Sequence, residues 1–129
     1  MLINGTIQCK PTTLYSNSSG TTGTVTLNET AANFSRLEIF FGKTESNNTV
    51  IYRGSVKLNS PNGKIANLAI AYNITNGSMG QLACKCVTVS GTSISNTSNT
   101  GGYMNLYNGR SVEWGSTIEV KIYEVLGYK

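Results

Sequence analysis

The chain has 129 residues, the size of one domain, and we expect a single domain over residues 1–129. Charged residues make up only 12% of it against 39% hydrophobic residues, a balance that excludes a disordered chain, which needs high charge and low hydrophobicity. The net charge is +4, but the basic residues are scattered without a run, which argues against a nucleic-acid-binding stripe.

The first third of the chain predicts short strands separated by polar connections. Residues 6–9 indicate an edge strand that Pro11 ends. Residues 17–23 predict a polar turn between strands at 14–16 and 24–27. The connector at 28–33 is compatible with one helical turn capped by Asn28. In residues 33–42, Leu37, Ile39 and Phe41 alternate with polar or less buried positions, the period of a half-buried strand.

The middle third continues in the same way. Residues 50–58 predict a strand that is irregular at Gly54, and residues 59–63 and 75–78 predict turns. Between those turns, in residues 64–74, the even-numbered positions from Ala66 to Ile74 are apolar. Residues 81–90 predict a central strand, because apolar residues occupy both faces with Lys85 as the exception.

The last third begins with a tight turn at 91–92, followed by a small-residue loop at 96–102 and a short strand at 103–107. Asn108-Gly109 is the strongest signal for a two-residue hairpin turn in the chain. Residues 116–126 predict a final strand. We expect Ile118, Val120, Ile122 and Leu126 to face inward and Thr117, Glu119, Lys121 and Tyr123 to face outward.

These elements predict an all-β protein, since no segment carries a longer helical period. About eight strands at spacings of roughly ten residues fit an antiparallel β-sandwich or jelly roll, in which two packed sheets share one core.

The chain has three cysteines, so they cannot all be paired in disulfide bonds within one chain. Cys84 and Cys86 are two residues apart on one predicted strand, so they share a face and are poorly placed to bridge each other. Cys9 could in principle reach one of them, but we expect all three cysteines to be reduced thiols in the core. A zinc site would need a fourth ligand and a C-x-x-C spacing, so we expect no metal.

The composition removes the usual catalytic groups. The chain contains no histidine, and all six acidic residues are glutamates, which excludes Ser-His-Asp and Cys-His catalysis and the Asp-rich calcium loops. Glutamates that alternate on strands belong mostly to solvated faces, and no glycine loop precedes a helix to hold phosphate. We therefore expect no enzyme activity and no cofactor.

One aromatic group is the candidate binding site. Tyr103, Tyr107 and Trp114 surround Asn108-Gly109 together with Arg110. Tyrosine and tryptophan stack on sugar faces and anchor protein contacts, because each ring combines an apolar face with a polar edge. The same residues also suit a cap over the sandwich core or a subunit interface, and the sequence leaves these interpretations open.

The N-terminus has no basic region followed by an apolar run, and no apolar run approaches the ~20 residues that span a bilayer. We therefore expect a protein made in a cytoplasm, with no signal peptide and no membrane partner.

A family pattern is visible in residues 14–42. Leu14-Tyr15-Ser16, a Ser/Gly/Thr-rich turn, Thr24-Val25-Thr26-Leu27, and Asn33-Phe34 leading into Leu37-Glu38-Ile39 resemble β-rich virion-surface proteins of tailed bacteriophages that infect Gram-positive bacteria. These include tail-fibre, baseplate and capsid-decoration modules. The rest of the chain agrees with them in composition and strand pattern, and the motif holds no catalytic residue.

The resemblance implies a non-enzymatic structural protein of the virion, made in the bacterial host cytoplasm, whose partners are other virion proteins and further copies of itself, as a homotrimer. Phe40, Val125 and Tyr128, expected on faces that a lone sandwich would expose, agree with association. Our first hypothesis is a tail-fibre or baseplate module that contacts host cell-wall polysaccharide. The alternatives are a capsid decoration or head-fibre protein that binds the phage shell, and a stand-alone carbohydrate-binding module.

Overall fold

The structure is a computed structural model, and it describes residues 2–3, 6–7, 10–44, 50–74, 79–107 and 111–129. Strand is the dominant conformation throughout. The strands are β1 (Leu2–Ile3), β2 (Thr6–Ile7), β3 (Thr12–Thr21), β4 (Val25–Thr26), β5 (Arg36–Thr44), β6 (Val50–Asn59), β7 (Ile65–Ile74), β8 (Met79–Ser90), β9 (Ser93–Tyr107), β10 (Ser111–Gly115) and β11 (Lys121–Tyr128).

Two antiparallel sheets pack against each other. The first has the strand order β3-β11-β5-β6, and the second is a meander in the order β10-β9-β8-β7, with β4 added to β9. A separate short pair joins β1 and β2. The predicted all-β antiparallel sandwich is therefore confirmed, and the described residues include eight strands of five residues or more.

The core lies between the two sheets. The first sheet contributes side chains such as Leu37, Ile39 and Ile122, and the second contributes Leu68 and Val87. All five are essentially inaccessible to solvent. The alternation predicted for the strands that carry them places these residues on the inner face, as a period of two requires.

The polar stretch predicted as a turn at 17–23 is instead part of β3. Ser16 pairs with Glu124 and Thr21 with Ile122, so residues 17–20 bulge out of the ladder between two paired positions. The chain turns only after Thr21. The prediction was wrong because the neighbouring strand β11 holds both ends of the polar stretch and keeps the strand continuous across it.

The helical turn predicted in the connector is a single 3-10 turn, Ala31–Asn33. Its cap is Thr30 rather than Asn28, with the Thr30 hydroxyl accepting a hydrogen bond from the Ala32 amide at 3.4 Å. The loop predicted at 96–102 lies within strand β9, but only its ends pair with β8, Asn96 with Val87 and Gly101 with Lys85, so residues 97–100 bulge out of the ladder.

The last strand changes phase at a bulge. Its register with both neighbours shifts between Ile122 and Glu124, which makes Tyr123 the extra residue. Tyr123 keeps its predicted outward side, where the guanidinium of Arg53 lies 4.9 Å from its ring centre, but it is buried there. Val125 is consequently buried and Leu126 lies at an outward position, the reverse of the predicted faces. Val125 therefore gives no support to an exposed association surface.

The irregularity predicted at Gly54 is absent. Gly54 pairs in register with Phe41, and the shift between β5 and β6 occurs between Lys43 and Thr44. A Cβ atom at Gly54 would lie 3.1 Å from Cζ of Phe41, so the glycine makes room for this ring. The predicted turns at 59–63 and 91–92 are present, but the turn at 75–78 lies outside the described residues.

Candidate docking face

The second sheet has one face toward the core and one toward solvent. On its central strand β8, Ala83, Lys85 and Val87 are buried, so Leu82 and Cys84 point away from the core. The outward side of β7, β8, β9 and β10 is hereafter the docking face. The prediction that β8 is central holds within its sheet, but only one side of this strand is covered.

Large apolar side chains are concentrated on the docking face. The described part of the chain has five exposed large hydrophobic residues, and the register places all of them on this face: Ile65, Leu82, Leu106, Val112 and Trp114. Trp114 is the most open of them, at 75% exposure.

Four of the outward residues form a continuous row across the sheet. Trp114 pairs with Met104, Met104 with Leu82, and Leu82 with Ala71. Directly paired side chains on one face stand about 5 Å apart, so the row is a contiguous apolar band. Val112 and Leu106 form a second pair beside it, which widens the band by one row.

The band contains a recess at its β9–β10 end. The cavity measures about 290 Å³ and is lined by Leu82, Cys84, Gly101, Gly102, Tyr103, Met104, Trp114 and Gly115. Three of these residues are glycines, and neighbouring atoms lie close to the Cβ position of each of them. Tyr103 packs directly over Gly115, where an added Cβ atom would lie 2.1 Å from Cζ of the ring.

None of the outward-facing residues described on β7 to β10 carries a charge. The charged residues described on these strands are Lys85 and Glu113, and both are at inward-facing positions. The outward side of the first sheet is different. Its outward register positions include the charged residues Arg36, Glu38, Arg53, Lys57, Lys121 and Glu124.

Some charged groups on that opposite face contact a neighbouring aromatic ring or hydroxyl. The guanidinium of Arg36 lies 4.3 Å from the ring centre of Tyr128, whose hydroxyl donates a hydrogen bond to Oε1 of Glu38 at 3.2 Å. Glu38 is the cross-strand partner of Lys57. A side with these groups is typical of a solvated surface, whereas the docking face has the composition of a contact surface.

The structure divides the aromatic group predicted as a binding site. Tyr107 pairs with Ser111 and Tyr103 with Gly115, so both tyrosines have inward parity, whereas Trp114 has outward parity. Tyr103 packs partly against the core and also lines the recess beside Trp114. The structure therefore brings Tyr103 and Trp114 together at the recess and places Tyr107 on the opposite side of the sheet from Trp114.

Tyr107 makes its own contact, since its hydroxyl donates a hydrogen bond to Oε2 of Glu113 at 3.1 Å. This hydrogen bond to the carboxylate raises the pKa of the exposed Tyr107 above its usual value. The fourth predicted residue, Arg110, and the Asn108-Gly109 turn lie outside the described residues.

The residues that the sequence analysis did not single out are the aliphatic members of the docking face, Leu82, Leu106 and Val112. Their signal was present at β8, where apolar residues on both faces indicated a strand covered on both sides. Apolar residues on both faces of a strand also occur when one of the two faces is an exposed apolar patch, and the sequence analysis did not consider that arrangement.

A polar cluster lies between the sheets at one end of the sandwich. Nζ of Lys43 donates hydrogen bonds to the Tyr72 hydroxyl at 2.7 Å and to Oε1 of Gln81 at 3.3 Å, and lies 3.2 Å from Oε2 of Glu119. Nε2 of Gln81 donates in turn to Oδ1 of Asn105 at 2.7 Å. Burial acts to lower the pKa of Lys43, but Tyr72 and Glu119 outweigh it and raise the pKa. A lysine held protonated is not a nucleophile, so the cluster suits a structural role.

Lys85 is more deeply buried than Lys43. Its side chain is 1% exposed, and its Nζ donates a hydrogen bond to the carbonyl of Thr22 at 3.2 Å. Burial lowers the pKa of Lys85 to about 8. Its register partner on β9 is Gly101, where an added Cβ atom would lie 3.1 Å from Cγ1 of Ile118.

The cysteines differ from the expectation of core thiols. Cys84 is exposed and Cys86 is partly buried, and both are free thiols on the docking face, because their parity is that of Leu82. Cys9 lies outside the described residues. Across the described ranges no three His, Cys, Asp or Glu residues converge in a way that could hold a metal ion.

The part of the chain that the structure describes has no helix of the length and apolar character needed to cross a membrane. Comparison of the chain with protein-family models, with curated proteins and with solved structures finds no match.

Proposed function

We propose that this chain is a non-enzymatic structural protein that works by docking onto other protein subunits through the docking face. The observation that carries the proposal is the contrast between the two outer sides of the sandwich. One side displays several charged residues, and the other displays an uncharged band of exposed apolar side chains.

The size and chemistry of the band support a protein partner. Ten residues of each of β7, β8 and β9 and the five residues of β10, at a spacing of about 4.8 Å, present a face of roughly 550 Å², and the apolar band runs across it. Leu82, Leu106 and Val112 offer no hydrogen-bonding groups, so they gain most from contact with another apolar surface.

The biological setting follows from the resemblance of residues 14–42 to virion-surface proteins of tailed bacteriophages. On that basis we propose that the chain is made in the bacterial host cytoplasm and is incorporated into a virion, with other virion proteins as partners. An apolar docking face suits a protein lattice better than a polymer, which favours the capsid decoration or head-fibre role. The homotrimer that the resemblance implies stays a prediction.

The second candidate function is saccharide binding, as a tail-fibre or baseplate module or as a stand-alone carbohydrate-binding module. Its support is Trp114, which stands open to solvent beside Tyr103 at a recess of about 290 Å³. Indole rings stack on sugar faces. A sugar also needs polar groups around the ring, and the neighbours of Trp114 in its row are Met104 and Leu82.

Labelled protein distinguishes the two functions. We would measure binding of the fluorescent wild-type chain to emptied shells of tailed phages of Gram-positive bacteria, and to Gram-positive cells with and without their cell-wall glycopolymer. Leu82→Lys places a charge at the centre of the docking face. Ser55→Lys is the matched control, because Ser55 is exposed on the opposite side.

We expect saturable shell binding that Leu82→Lys abolishes and Ser55→Lys leaves intact. Binding to cells that disappears with the glycopolymer and with Trp114→Ala, but survives Leu82→Lys, would instead assign the saccharide function. Shell binding that is equally strong in both lysine variants would contradict the proposed docking face.

A further inference from the structure

We propose that the docking face binds a second copy of this chain, face to face across a two-fold axis. The inference rests on the proposed function, since it names one partner of the same surface. The two copies would stack their β7–β10 sheets and bury the apolar bands against each other.

Charge is the first argument for a second copy. Each chain carries a net charge of +4, so most relative orientations of two copies bring like charges together. The docking face is the side whose described outward residues are uncharged, whereas the opposite side contains Arg36, Arg53 and Lys57. Two copies therefore meet with least repulsion when their docking faces are in contact. An uncharged face is also electrostatically complementary to itself, as a two-fold interface requires.

Area is the second argument. Ten residues of each of β7, β8 and β9 and the five residues of β10, at a spacing of about 4.8 Å, give a face of roughly 550 Å² on each copy, or about 1,100 Å² in total. A specific interface should exceed about 1,000 Å², so the docking face alone is large enough for a stable pair.

Shape is the third argument. Two pleated sheets stack at a separation of about 10 Å when their facing side chains interdigitate, and the two sheets within each chain already pack in this way. The row of Trp114, Met104 and Leu82 supplies the ridge, and the recess beside Trp114 can accept a large side chain from the opposite copy. Because a two-fold axis repeats every contact, the ridge of each copy packs against the recess of the other copy.

The oligomeric state tests the inference. We would measure the mass of the full-length chain by sedimentation equilibrium over a wide range of protein concentrations, with circular dichroism to verify that each variant folds. We expect a monomer–dimer equilibrium for the wild type and for Ser55→Lys. Leu82→Lys should weaken dimerisation at least about 100-fold, because the two-fold axis places two unpaired ammonium groups in one apolar interface.

Trp114→Ser is the second variant, because it removes the most exposed side chain of the band without adding a charge. It should weaken dimerisation as well. A wild type that remains monomeric at every concentration would overturn the inference, as would a trimer, since three copies cannot share one flat face by a two-fold contact. A dimer that survives both Leu82→Lys and Trp114→Ser would also overturn it.

These outcomes are separable from those of the proposed function. A monomeric wild type whose shell binding is lost in Leu82→Lys would overturn the second copy as the partner while the docking function stands. A wild-type dimer that Leu82→Lys dissociates, with no binding to shells or cells, would support the face-to-face pair and contradict the proposed role in a virion.

Discussion

Replacing Lys85 with methionine should stabilise the protein, and the gain should depend on pH. The amine of Lys85 is buried between the sheets and has one described hydrogen bond, to the carbonyl of Thr22, without a carboxylate partner. Methionine retains a long unbranched side chain that can follow the same path beside Gly101. The substitution therefore removes the charge while it conserves most of the packing.

The magnitude follows from the lowered pKa. The pKa of Lys85 falls from 10.5 to about 8 in the folded state. Each pKa unit corresponds to about 1.4 kcal/mol, so the charge destabilises the fold by about 3 kcal/mol at pH 7, where both folded and unfolded chains hold the proton. Between pH 8 and 10.5 the unfolded chain still holds this proton and the folded chain does not. Raising the pH through this window therefore stabilises the wild type relative to Lys85→Met.

The assay is urea-induced unfolding of both proteins from pH 7 to pH 10.5, followed by circular dichroism. Lys57→Met is the matched control, because Lys57 is exposed on the opposite face and its loss should change the free energy of unfolding by under about 0.5 kcal/mol. We expect Lys85→Met to gain about 2–3 kcal/mol at pH 7 and to lose most of this gain by pH 10.5. A gain that is constant with pH, or a less stable variant at pH 7, would refute the reasoning.

Two glycine substitutions test the local geometry. Gly20→Ala should lower the free energy of unfolding by about 1–3 kcal/mol, because Gly20 has φ of +76° and a Cβ there would lie 2.8 Å from neighbouring side chains. Thermal melts measure the change, and Gly23→Ala is the control that should change the free energy of unfolding little, because the space around Gly23 is open. Gly115→Val should destabilise the β9–β10 hairpin, because the valine side chain displaces the Tyr103 ring. The amide hydrogens of this hairpin should then exchange faster, and unchanged exchange would show that the ring does not pack on Gly115.

The sandwich could be predicted because its strands alternate with a period of two, which β7 and β8 follow over most of their length. What alternation cannot give is the position of a bulge. At Tyr123 one extra residue changes the phase of β11 and moves Val125 from the expected surface into the core. A one-residue shift exchanges the two faces of a strand, and nothing local in the sequence of β11 marks where it occurs.

The uncertain strand register also explains why the predicted grouping of Tyr103, Tyr107 and Trp114 was only partly correct. A two-residue turn at Asn108-Gly109 would pair Tyr103 with Trp114 and place both on one face. The structure pairs Tyr107 with Ser111, which leaves three residues between the strands and moves Trp114 to the other face. The docking face therefore depends on a hairpin register that the Asn-Gly signal alone does not determine.

The most direct test of the docking face is the alkylation rate of Cys84, which is an exposed thiol on the central strand of that face. The rate would be measured by peptide mass spectrometry in dilute and in concentrated protein, with acetylation of Lys57 as the reference for the opposite side. The account predicts that Cys84 reacts more slowly as the protein is concentrated, that Lys57 does not, and that Leu82→Lys restores the fast rate. A Cys84 rate that is independent of concentration in the wild type would contradict the covering of this face by a second copy.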